Sequence, residues 1–434
     1  MTSPADLAHP ALDLDAARSA YDELRAQGLS LDLTRGKPSS AQLDLAAPML
    51  SLPGEQYRSA DGIDTRNYQG LQGLPELRAV FSPILDVPVE QLIAFGNSSL
   101  ELMHDTVVHA LLSPLPGAER RWVDEDRIAF LAPTPGYDRH FALCERLGVE
   151  LVQVPMTPDG PDMDVVEELV AVDPSVKGIW CVPKYSNPDG AVYSEDTARR
   201  LASMPAAAPD FRIFWDNAYA VHHLTDDEVE IPDVLTLAAQ AGHEDRPFVF
   251  GSTSKITFAG AGVAFLGASR ANVSWWLALT ARRTIGPDKI NHLRHAMFLR
   301  DADGVREHMR RHRELIAPKF AAVDRILTER VGSVPGVHWS RPAGGYFVTL
   351  IVPDGTATEI VRLAKEAGIA LTPAGATHPY GIDPEDRTIR LAPTFPGLAE
   401  VERAMYGVTD CIRLALASRG AERASAGHGA TTAQ

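Results

Sequence analysis

The chain has 434 residues, of which 45% are hydrophobic and 23% are charged, a composition that suits packed domains and excludes bulk disorder. Its formal net charge of −16 argues against a nucleic-acid partner held through phosphates. Three cysteines without a Cys-x-x-Cys pair exclude a disulfide framework, give no sign of a metal site, and fit a reducing compartment.

The amino-terminal segment carries no targeting signal that we recognise. Its first residues, MTSPADLAHP, lack the basic patch and apolar stretch of a signal peptide, and no apolar run is long enough to span a membrane. We therefore expect a cytoplasmic protein. Leu14, Ala17, Tyr21 and Leu24 recur at helical spacing and predict a helix before the strand-like LDL at 31–33.

The middle of the chain alternates short apolar runs with amphipathic segments such as HFALCERLG and SEDTARRLASM, which predict helices. Most of the runs lack polar alternation, so we expect strands buried on both faces of a largely parallel sheet. The alternation indicates an α/β domain. The runs are RIAFLAP (127–133), VELVQVP (149–155), VKGIWCVP (176–183), RIFWD (212–216), PFVFGS (247–252) and AGVAFLG (261–267).

The pattern changes beyond about Arg300. A charged helix is predicted over 303–327, strands over 345–352 and 388–391, and a helix over 358–367, which indicates a smaller α+β domain. We predict a large domain over 49–300 and a small domain formed by 1–48 and 301–418. Residues 419–434 lack apolar periodicity and are predicted to be a flexible tail.

Ligands of an open α/β sheet bind at the carboxyl ends of its strands, where this sequence places reactive side chains. Lys255 follows the run PFVF among small residues, and a lysine amine becomes a nucleophile when burial or a nearby cation lowers its pKa. The hydroxyls of Ser252 and Ser254 suit a phosphate. The alternative is a surface lysine in a serine-rich loop.

Two further side chains could bind the polar atoms of a cofactor ring. Asp216 closes the run RIFWD, and a carboxylate there needs a partner such as a protonated pyridine nitrogen, although an aspartate can also cap a helix. Asn187 in SNPDG offers an amide to a phenolic oxygen, or it is only a turn residue.

The segments FGNSSLELMHD and PTPGYDRHF add an anion site and a stacking ring. The backbone N–H groups of Asn97, Ser98 and Ser99 at a helix start suit an anion, with an ordinary helix cap as the alternative. Tyr137 suits stacking on a flat ring, and His140 on the same helix face suits orienting Asp216. The alternatives are a core aromatic residue and a core or surface histidine.

Arg390 in RTIRLAPTFP lies between apolar neighbours in a predicted strand. Its planar guanidinium matches a carboxylate in bidentate geometry, and pairing with an internal acid is the equal alternative. Taken together, the order of these residues predicts one cofactor site.

From about Thr34 to about Pro396, the sequence resembles the class I/II aminotransferases among the fold-type I enzymes that use pyridoxal 5′-phosphate (PLP). NYQGLQGLPELR (67–78), SNPDG and STSK carry the resemblance. Within the family the sequence is most similar to the divergent bacterial aspartate aminotransferase branch, whose domain is akin to that of MocR regulators. The resemblance implies the PLP-transferase fold type I: a large domain with a mainly parallel central sheet between helices, and a smaller α+β domain.

The resemblance also implies roles for individual residues. Lys255 forms the Schiff base with PLP and moves protons, Asp216 pairs with the pyridine nitrogen, and Tyr137 stacks on the ring. Asn187 and Tyr219 are implied to donate hydrogen bonds to the phenolic oxygen of PLP. The phosphate is implied to bind Ser98, Ser99, Ser252 and Ser254. The residues implied to contact the substrate are Arg390, Asn187 and Gly36. Tyr68 reaches the phosphate from the partner subunit of a homodimer.

Two positions depart from the family pattern. Val263 stands where many relatives have an arginine on the phosphate, so another cation or backbone dipoles must compensate. Asp189 stands where threonine is usual, and an acid there suits a helix cap.

The implied reaction is ping-pong amino-group transfer, and we favour aspartate with 2-oxoglutarate. An acidic substrate side chain needs a second cation, for which Arg35, Lys37, Lys184, Arg282 and Arg283 are candidates. Aromatic, 2-aminoadipate or alanine specificity remains an alternative, and a PLP-dependent lyase is a further one. A MocR-type regulator is disfavoured, because only about thirty residues precede LTRGKP and the chain is acidic.

Overall fold

The computed structural model describes residues 12–431, with side chains as far as Glu422. The expectation of no signal peptide rests on residues 1–11, which lie outside the described residues, as do 432–434 of the predicted tail.

The predicted helices and strands are present, with bounds close to those expected. The helices are α1 (Leu14–Ala26), α2 (Ser40–Asp44), α3 (Pro75–Leu85), α4 (Ser99–Leu112), α5 (Asp138–Leu147), α6 (Met163–Val172), α7 (Glu195–Ser203), α8 (Val234–Gln240), α9 (Arg270–Thr280), α10 (Lys289–Leu299), α11 (Ala302–Val331), α12 (Ala357–Glu366) and α13 (Leu398–Thr431). The strands are β1 (Leu31–Asp32), β2 (Leu92–Phe95), β3 (Ala129–Thr134), β4 (Glu150–Thr157), β5 (Gly160–Pro161), β6 (Val176–Cys181), β7 (Arg212–Asp216), β8 (Pro247–Ser252), β9 (Ala264–Ala268), β10 (His338–Trp339), β11 (Val348–Ile351), β12 (Ile369–Ala370) and β13 (Thr388–Leu391).

The central sheet of the described residues has the strand order β2-β9-β8-β7-β6-β3-β4-β5. The neighbours from β8 to β4 run parallel, whereas β9, β2 and β5 are antiparallel to their neighbours. The prediction of a mainly parallel sheet is therefore confirmed. The parallel direction places the carboxyl ends of β3, β6, β7 and β8 at one edge, where the predicted site residues follow.

Helices cover both faces of this sheet, so its central strands are apolar on each side. Along β7, Ile213 and Trp215 face one buried cluster and Phe214 faces the other, as the two-residue period of a strand requires. Leu77 of α3 packs in the first cluster, and Leu102 of α4 packs in the second.

The smaller α+β domain has an antiparallel sheet in the order β10-β11-β13 and a parallel β1-β12 pair. Its core joins α1, α12 and α13 to the second half of α11. In α11, Val305 packs in the large core and Val323 in the small one, so this helix belongs to both domains. The domain boundary near residue 300 stays a proposal, and α11 spans the two cores on either side of it.

The carboxyl end differs from the prediction. Helix α13 continues to Thr431 instead of giving way to a flexible tail at 419. The run AERASA is rich in residues of good helix propensity, which extends a helix without apolar periodicity. None of the helices in the described part of the chain has the length and apolar character that crossing a membrane requires.

Candidate active site

A cavity of about 570 Å³ opens at the carboxyl ends of β3, β6, β7 and β8, and its size is typical of small-molecule sites. It is walled by most of the residues that the sequence singled out. These are Gly36, Ser98, Ser99, Tyr137, Asn187, Asp216, Tyr219, Ser252, Ser254, Lys255 and Arg390. Asn97 and Tyr68 are not in this wall.

Lys255 lies in the turn after β8, partly exposed to the cavity. Burial lowers the pKa of its amine, and the nearby Asp216 carboxylate opposes that shift. Its Nζ atom is 5.0 Å from the centre of the Tyr219 ring. A lowered pKa increases the neutral, nucleophilic fraction of the amine, which is the form that attacks an aldehyde.

Asp216 is the last residue of β7 and is only 3% exposed. Its Oδ2 atom lies 3.1 Å from Nε2 of His140, whose ring stacks on Trp180 with 4.3 Å between ring centres. Its Oδ1 atom is buried and has no hydrogen-bond partner among the described residues. A buried carboxylate oxygen is costly without a partner, so this atom fits a cationic ring N–H.

The aromatic and amide side chains surround the same space. Tyr137 precedes α5, and burial raises its pKa above the ordinary tyrosine value. Burial likewise raises the pKa of Tyr219, so both phenols keep their protons and act as donors. Asn187 accepts a weak hydrogen bond from Nη1 of Arg390 at 3.5 Å through Oδ1, which leaves its amide nitrogen as a donor.

The start of α4 has the properties of an anion site. Ser98 is its N-cap residue, yet its hydroxyl makes no capping hydrogen bond. The hydroxyl of Ser254 donates to the backbone carbonyl of Asn97 at 3.3 Å, which draws the lysine segment against α4. The uncapped hydroxyl of Ser98 and the helix N–H groups together suit a phosphate.

Arg390 on β13 pairs with an internal acid, which was one of its two predicted interpretations, and its role toward a substrate carboxylate stays a prediction. It walls the cavity, and its Nη1 donates to Oδ1 of Asp138 at 2.8 Å. The guanidinium lies over the ring of Phe347, 5.0 Å from its centre. That ring packs directly against Gly36. A larger residue would not fit there, because its Cβ atom would lie 2.2 Å from Cζ of Phe347.

Comparison with known proteins decides the family. A family model described as aspartate amino-transferase matches residues 4–424. The chain belongs to this aminotransferase family. It is 50% identical over 398 residues to a Corynebacterium glutamicum protein named aspartate aminotransferase, covering 92% of each chain.

Solved structures agree with this membership. A Corynebacterium glutamicum aspartate transaminase superposes with a TM-score of 0.92 at 48% identity, covering 93% of this chain and 96% of that chain. An alpha-aminoadipate aminotransferase from Thermus thermophilus superposes with a TM-score of 0.73 at 21% identity, covering 93% of this chain and 98% of that chain. The second likeness shows the shared fold alone. Membership implies PLP as the cofactor, and the partnerless oxygen of Asp216 fits its ring nitrogen.

Among the cations considered for a second substrate carboxylate, Arg35 alone walls the cavity of this aminotransferase. Lys37 lies over an aromatic ring at 3.7 Å, and Lys184 donates to a backbone carbonyl in a separate cavity. Arg283 pairs with carboxylates of α4, and Arg282 is exposed outside the wall.

The two departures from the family pattern have local explanations. Val263 is fully buried and exchanges backbone and hydroxyl hydrogen bonds with Thr253, which fixes the lysine turn but supplies no cation. Asp189 accepts from the backbone N–H of Ala191 at 3.0 Å, and burial raises its pKa to about 6. The idea of a helix cap at Asp189 is wrong, because Ser194 caps the next helix.

Sequence reasoning missed two charged residues that wall the cavity, Asp138 and Arg139. They lie between Tyr137 and His140, both of which the sequence had singled out. Residues one and two positions apart on a helix point to different faces, so this adjacency alone did not predict that their side chains would reach the cavity.

A second depression, of about 580 Å³, lies at the opposite, amino-terminal ends of the strands. Its basic side chains are paired with acids: Lys177 with Asp210 at 2.9 Å and Arg127 with Glu150 at 2.7 Å. Among the described residues, no group of histidine, cysteine and acidic side chains is arranged to hold a metal ion.

Proposed function

We propose that this aminotransferase moves the amino group of aspartate to 2-oxoglutarate with PLP, in a ping-pong sequence. The observation that carries the proposal is the buried Oδ1 atom of Asp216, which lacks a partner in the cavity that also holds Lys255. The aspartate preference is supported by the Corynebacterium relatives, which are named for that activity at 50% and 48% identity.

The cofactor assignment follows from the donor set of the cavity. The related Thermus enzyme was solved with N-(5′-phosphopyridoxyl)-L-leucine. When bound, PLP supplies an aldehyde that takes up amino groups and a ring that delocalises the charge left by the α-proton. Lys255 is the residue that holds the aldehyde and later removes and returns that proton.

The other residues orient the cofactor and polarise its ring. Asp216 keeps a proton at the ring nitrogen, and His140 fixes the carboxylate from the opposite side. Tyr137 stacks on the ring, and Tyr219 and Asn187 donate to its phenolic oxygen. The phosphate site is proposed to use Ser98, Ser99, Ser252 and Ser254, together with the backbone N–H of Asn97.

Arg390 binds the α-carboxylate of the substrate, assisted by Asn187 and the open wall at Gly36. Its Nη1 donates to the carboxylate of Asp138, whereas its buried Nε has no hydrogen-bond partner among the described residues and is left to donate to the substrate. Asp138 restrains the guanidinium before the substrate enters.

We also propose a homodimer in a cytoplasmic setting. Tyr68 is 67% exposed and lies outside the cavity wall of its own chain, so its phosphate role requires a second subunit. The three cysteines are free and buried, which fits a reducing compartment.

The test is a panel of amino acids assayed against 2-oxoglutarate with PLP-loaded protein. Aspartate should give the highest kcat/KM, and amino donor should convert the cofactor to its pyridoxamine form. Strong preference for aromatic, branched or 2-aminoadipate donors would overturn the aspartate assignment. Substrate breakdown without the pyridoxamine form or 2-oxo acid exchange would indicate a lyase instead.

A further inference from the structure

We propose that His308 and His312 of α11 are positioning residues, which hold the turn that carries Lys255 from the side away from the cavity and tie it to the small domain. The lysine turn consists of residues 253–257, directly after β8. The inference rests on the proposed function only for the role of Lys255. Neither histidine belongs to the cavity wall, so both act through the lysine turn and not on the substrate.

The backbone of the lysine turn is contacted by buried polar side chains. Nε2 of His308 lies 2.8 Å from the carbonyl oxygen of Ile256, and the hydroxyl of Tyr346 donates to the carbonyl oxygen of Lys255 at 3.4 Å. Nε2 of His312, one helical turn after His308, lies 3.1 Å from Nε2 of that residue. Because a carbonyl oxygen only accepts, an N–H of this imidazole pair must be directed at Ile256.

The amino-terminal segment that we assign to the small domain reaches the same network through Gln42 of α2. Its amide nitrogen lies 3.1 Å from Nδ1 of His312 and donates to the Tyr346 hydroxyl at 2.9 Å. Its amide oxygen accepts from the backbone N–H of Ser39 at 3.0 Å. Gln42 and His312 are fully buried, so this amide spends its hydrogen bonds inside the protein and links α2 to the lysine turn.

The network supplies position and not charge. Burial lowers the pKa of His308 and also that of His312, the latter to about 3, so both imidazoles stay neutral near pH 7. Apolar side chains of similar volume are often at least as stable in an interior, whereas a satisfied hydrogen-bond network specifies one arrangement. A reactive amine needs such support, because its geometry must be held to within about 0.5 Å.

Helix α11 gives the network its reach across the molecule. Val305 of this helix packs in the large core and Val323 in the small one, and the two histidines lie between them in the chain. A displacement of the small domain along α11 is therefore transmitted to the backbone of Ile256, next to Lys255, through contacting groups.

The test is competitive acetylation of the cofactor-free protein with acetic anhydride over a series of pH values, read by mass spectrometry. Exposed Lys365 serves as the internal reference. The pH series gives the midpoint at which the Lys255 amine becomes reactive. That amine faces the Asp216 carboxylate and the Tyr219 ring, and the variants used leave both unchanged.

His308→Leu removes the contact with Ile256, so the lysine turn should relax towards solvent. The midpoint for Lys255 should then rise towards 10.5, the ordinary lysine value. In the PLP-loaded enzyme, kcat should fall about tenfold while KM changes less than about twofold. His308→Gln offers an amide N–H to the same carbonyl oxygen and should restore both. The turn itself should stay folded, because His295 of α10 lies 3.2 Å and 2.9 Å from the hydroxyls of Thr253 and Thr257.

His292→Leu is the matched control. His292 is a similarly buried histidine, and its Nδ1 accepts from the backbone N–H of Leu74 instead of contacting the lysine turn. It should lose thermal stability without moving the midpoint for Lys255. The same pattern in His308→Leu would overturn the proposal, and so would an equal rise of the midpoint in His308→Gln.

A second variant keeps the test decisive if His308→Leu does not fold. Gln42→Met keeps the imidazole pair and removes its link to the small domain, so the midpoint for Lys255 should again rise. An unchanged midpoint in folded Gln42→Met would overturn the proposal. Acetylation requires neither PLP nor turnover, so a wild type that transfers no amino group from aspartate would end the proposed function and leave this result standing.

Discussion

The amine of Lys255 lies in the cavity wall, and its partial burial lowers its pKa below the ordinary lysine value of 10.5. Only the neutral amine attacks the PLP aldehyde. As pH rises, the rate of PLP uptake by the cofactor-free protein should therefore increase through a midpoint below 10.5. Stopped-flow absorbance of PLP mixed with the protein at a series of pH values measures that midpoint. A midpoint at or above the value of free lysine would contradict the assigned environment.

The carboxylate of Asp216 is expected to matter for reaction far more than for folding. Asp216→Asn keeps the side-chain shape and removes the charge that holds a proton at the cofactor ring. We expect kcat to fall by about 100- to 1,000-fold, in line with the loss of a preorganised electrostatic contact. Thermal stability of the cofactor-free protein should change little, because asparagine keeps an oxygen that can face Nε2 of His140 and Oδ1 has no partner in the described residues. A variant retaining more than about a tenth of the activity would contradict this role.

Sequence could predict the reactive residues that follow strands, but not all of their contacts. Lys255 and Asp216 were identifiable because Asp216 ends an apolar run, Lys255 closely follows another, and parallel strands end at one edge. The Arg390–Asp138 pair joins residues 252 positions apart, and no local pattern reports such a contact.

At the level of elements, two helix starts in this chain offer a matched comparison. Ser98 precedes α4 without a capping hydrogen bond, whereas Ser194 precedes α7 and accepts from the backbone N–H of Thr197 at 3.1 Å. Ser98→Ala should leave the free energy of unfolding nearly unchanged and weaken PLP binding about tenfold. Ser194→Ala should destabilise the fold by about 1 kcal/mol without changing PLP affinity.

Chemical denaturation and equilibrium titration with PLP measure the two effects separately. The same pattern in both variants would show that the hydroxyl of Ser98 is an ordinary cap. A large loss of stability in Ser98→Ala without PLP would have the same meaning.

The strand and helix pattern was predictable because buried parallel strands leave a continuous apolar run. The direction of β9 was not deduced, although the connection over 253–263 is too short for the helical crossover that a parallel neighbour needs. The shared role of α11 could not be predicted, because an amphipathic pattern does not say which of two cores each part of the apolar face meets.

At the scale of the whole molecule, the cavity takes residues from both domains. Lys255 and Asp216 come from the large domain, and Gly36, Phe347 and Arg390 come from segments of the small one. The partner subunit is proposed to add Tyr68, so a complete site would need two chains.

Subunit complementation tests that arrangement. Chains carrying Lys255→Ala or Tyr68→Ala should each be severely impaired alone. Mixed dimers should contain one intact site, because the Tyr68→Ala chain keeps its lysine and receives tyrosine from its partner. Random mixing should restore about a quarter of wild-type activity, as expected for an isologous dimer. No recovery in mixtures confirmed to contain mixed dimers would contradict a shared site.

The most direct test of the account is to locate the covalent bond to the cofactor. The PLP-loaded protein is reduced with borohydride, digested, and its peptides are analysed by mass spectrometry. We predict a phosphopyridoxyl group on Lys255 and loss of that label in Lys255→Ala. The account would be contradicted by label on Lys184, the buried lysine whose pKa burial lowers to about 8, or by no specifically labelled lysine.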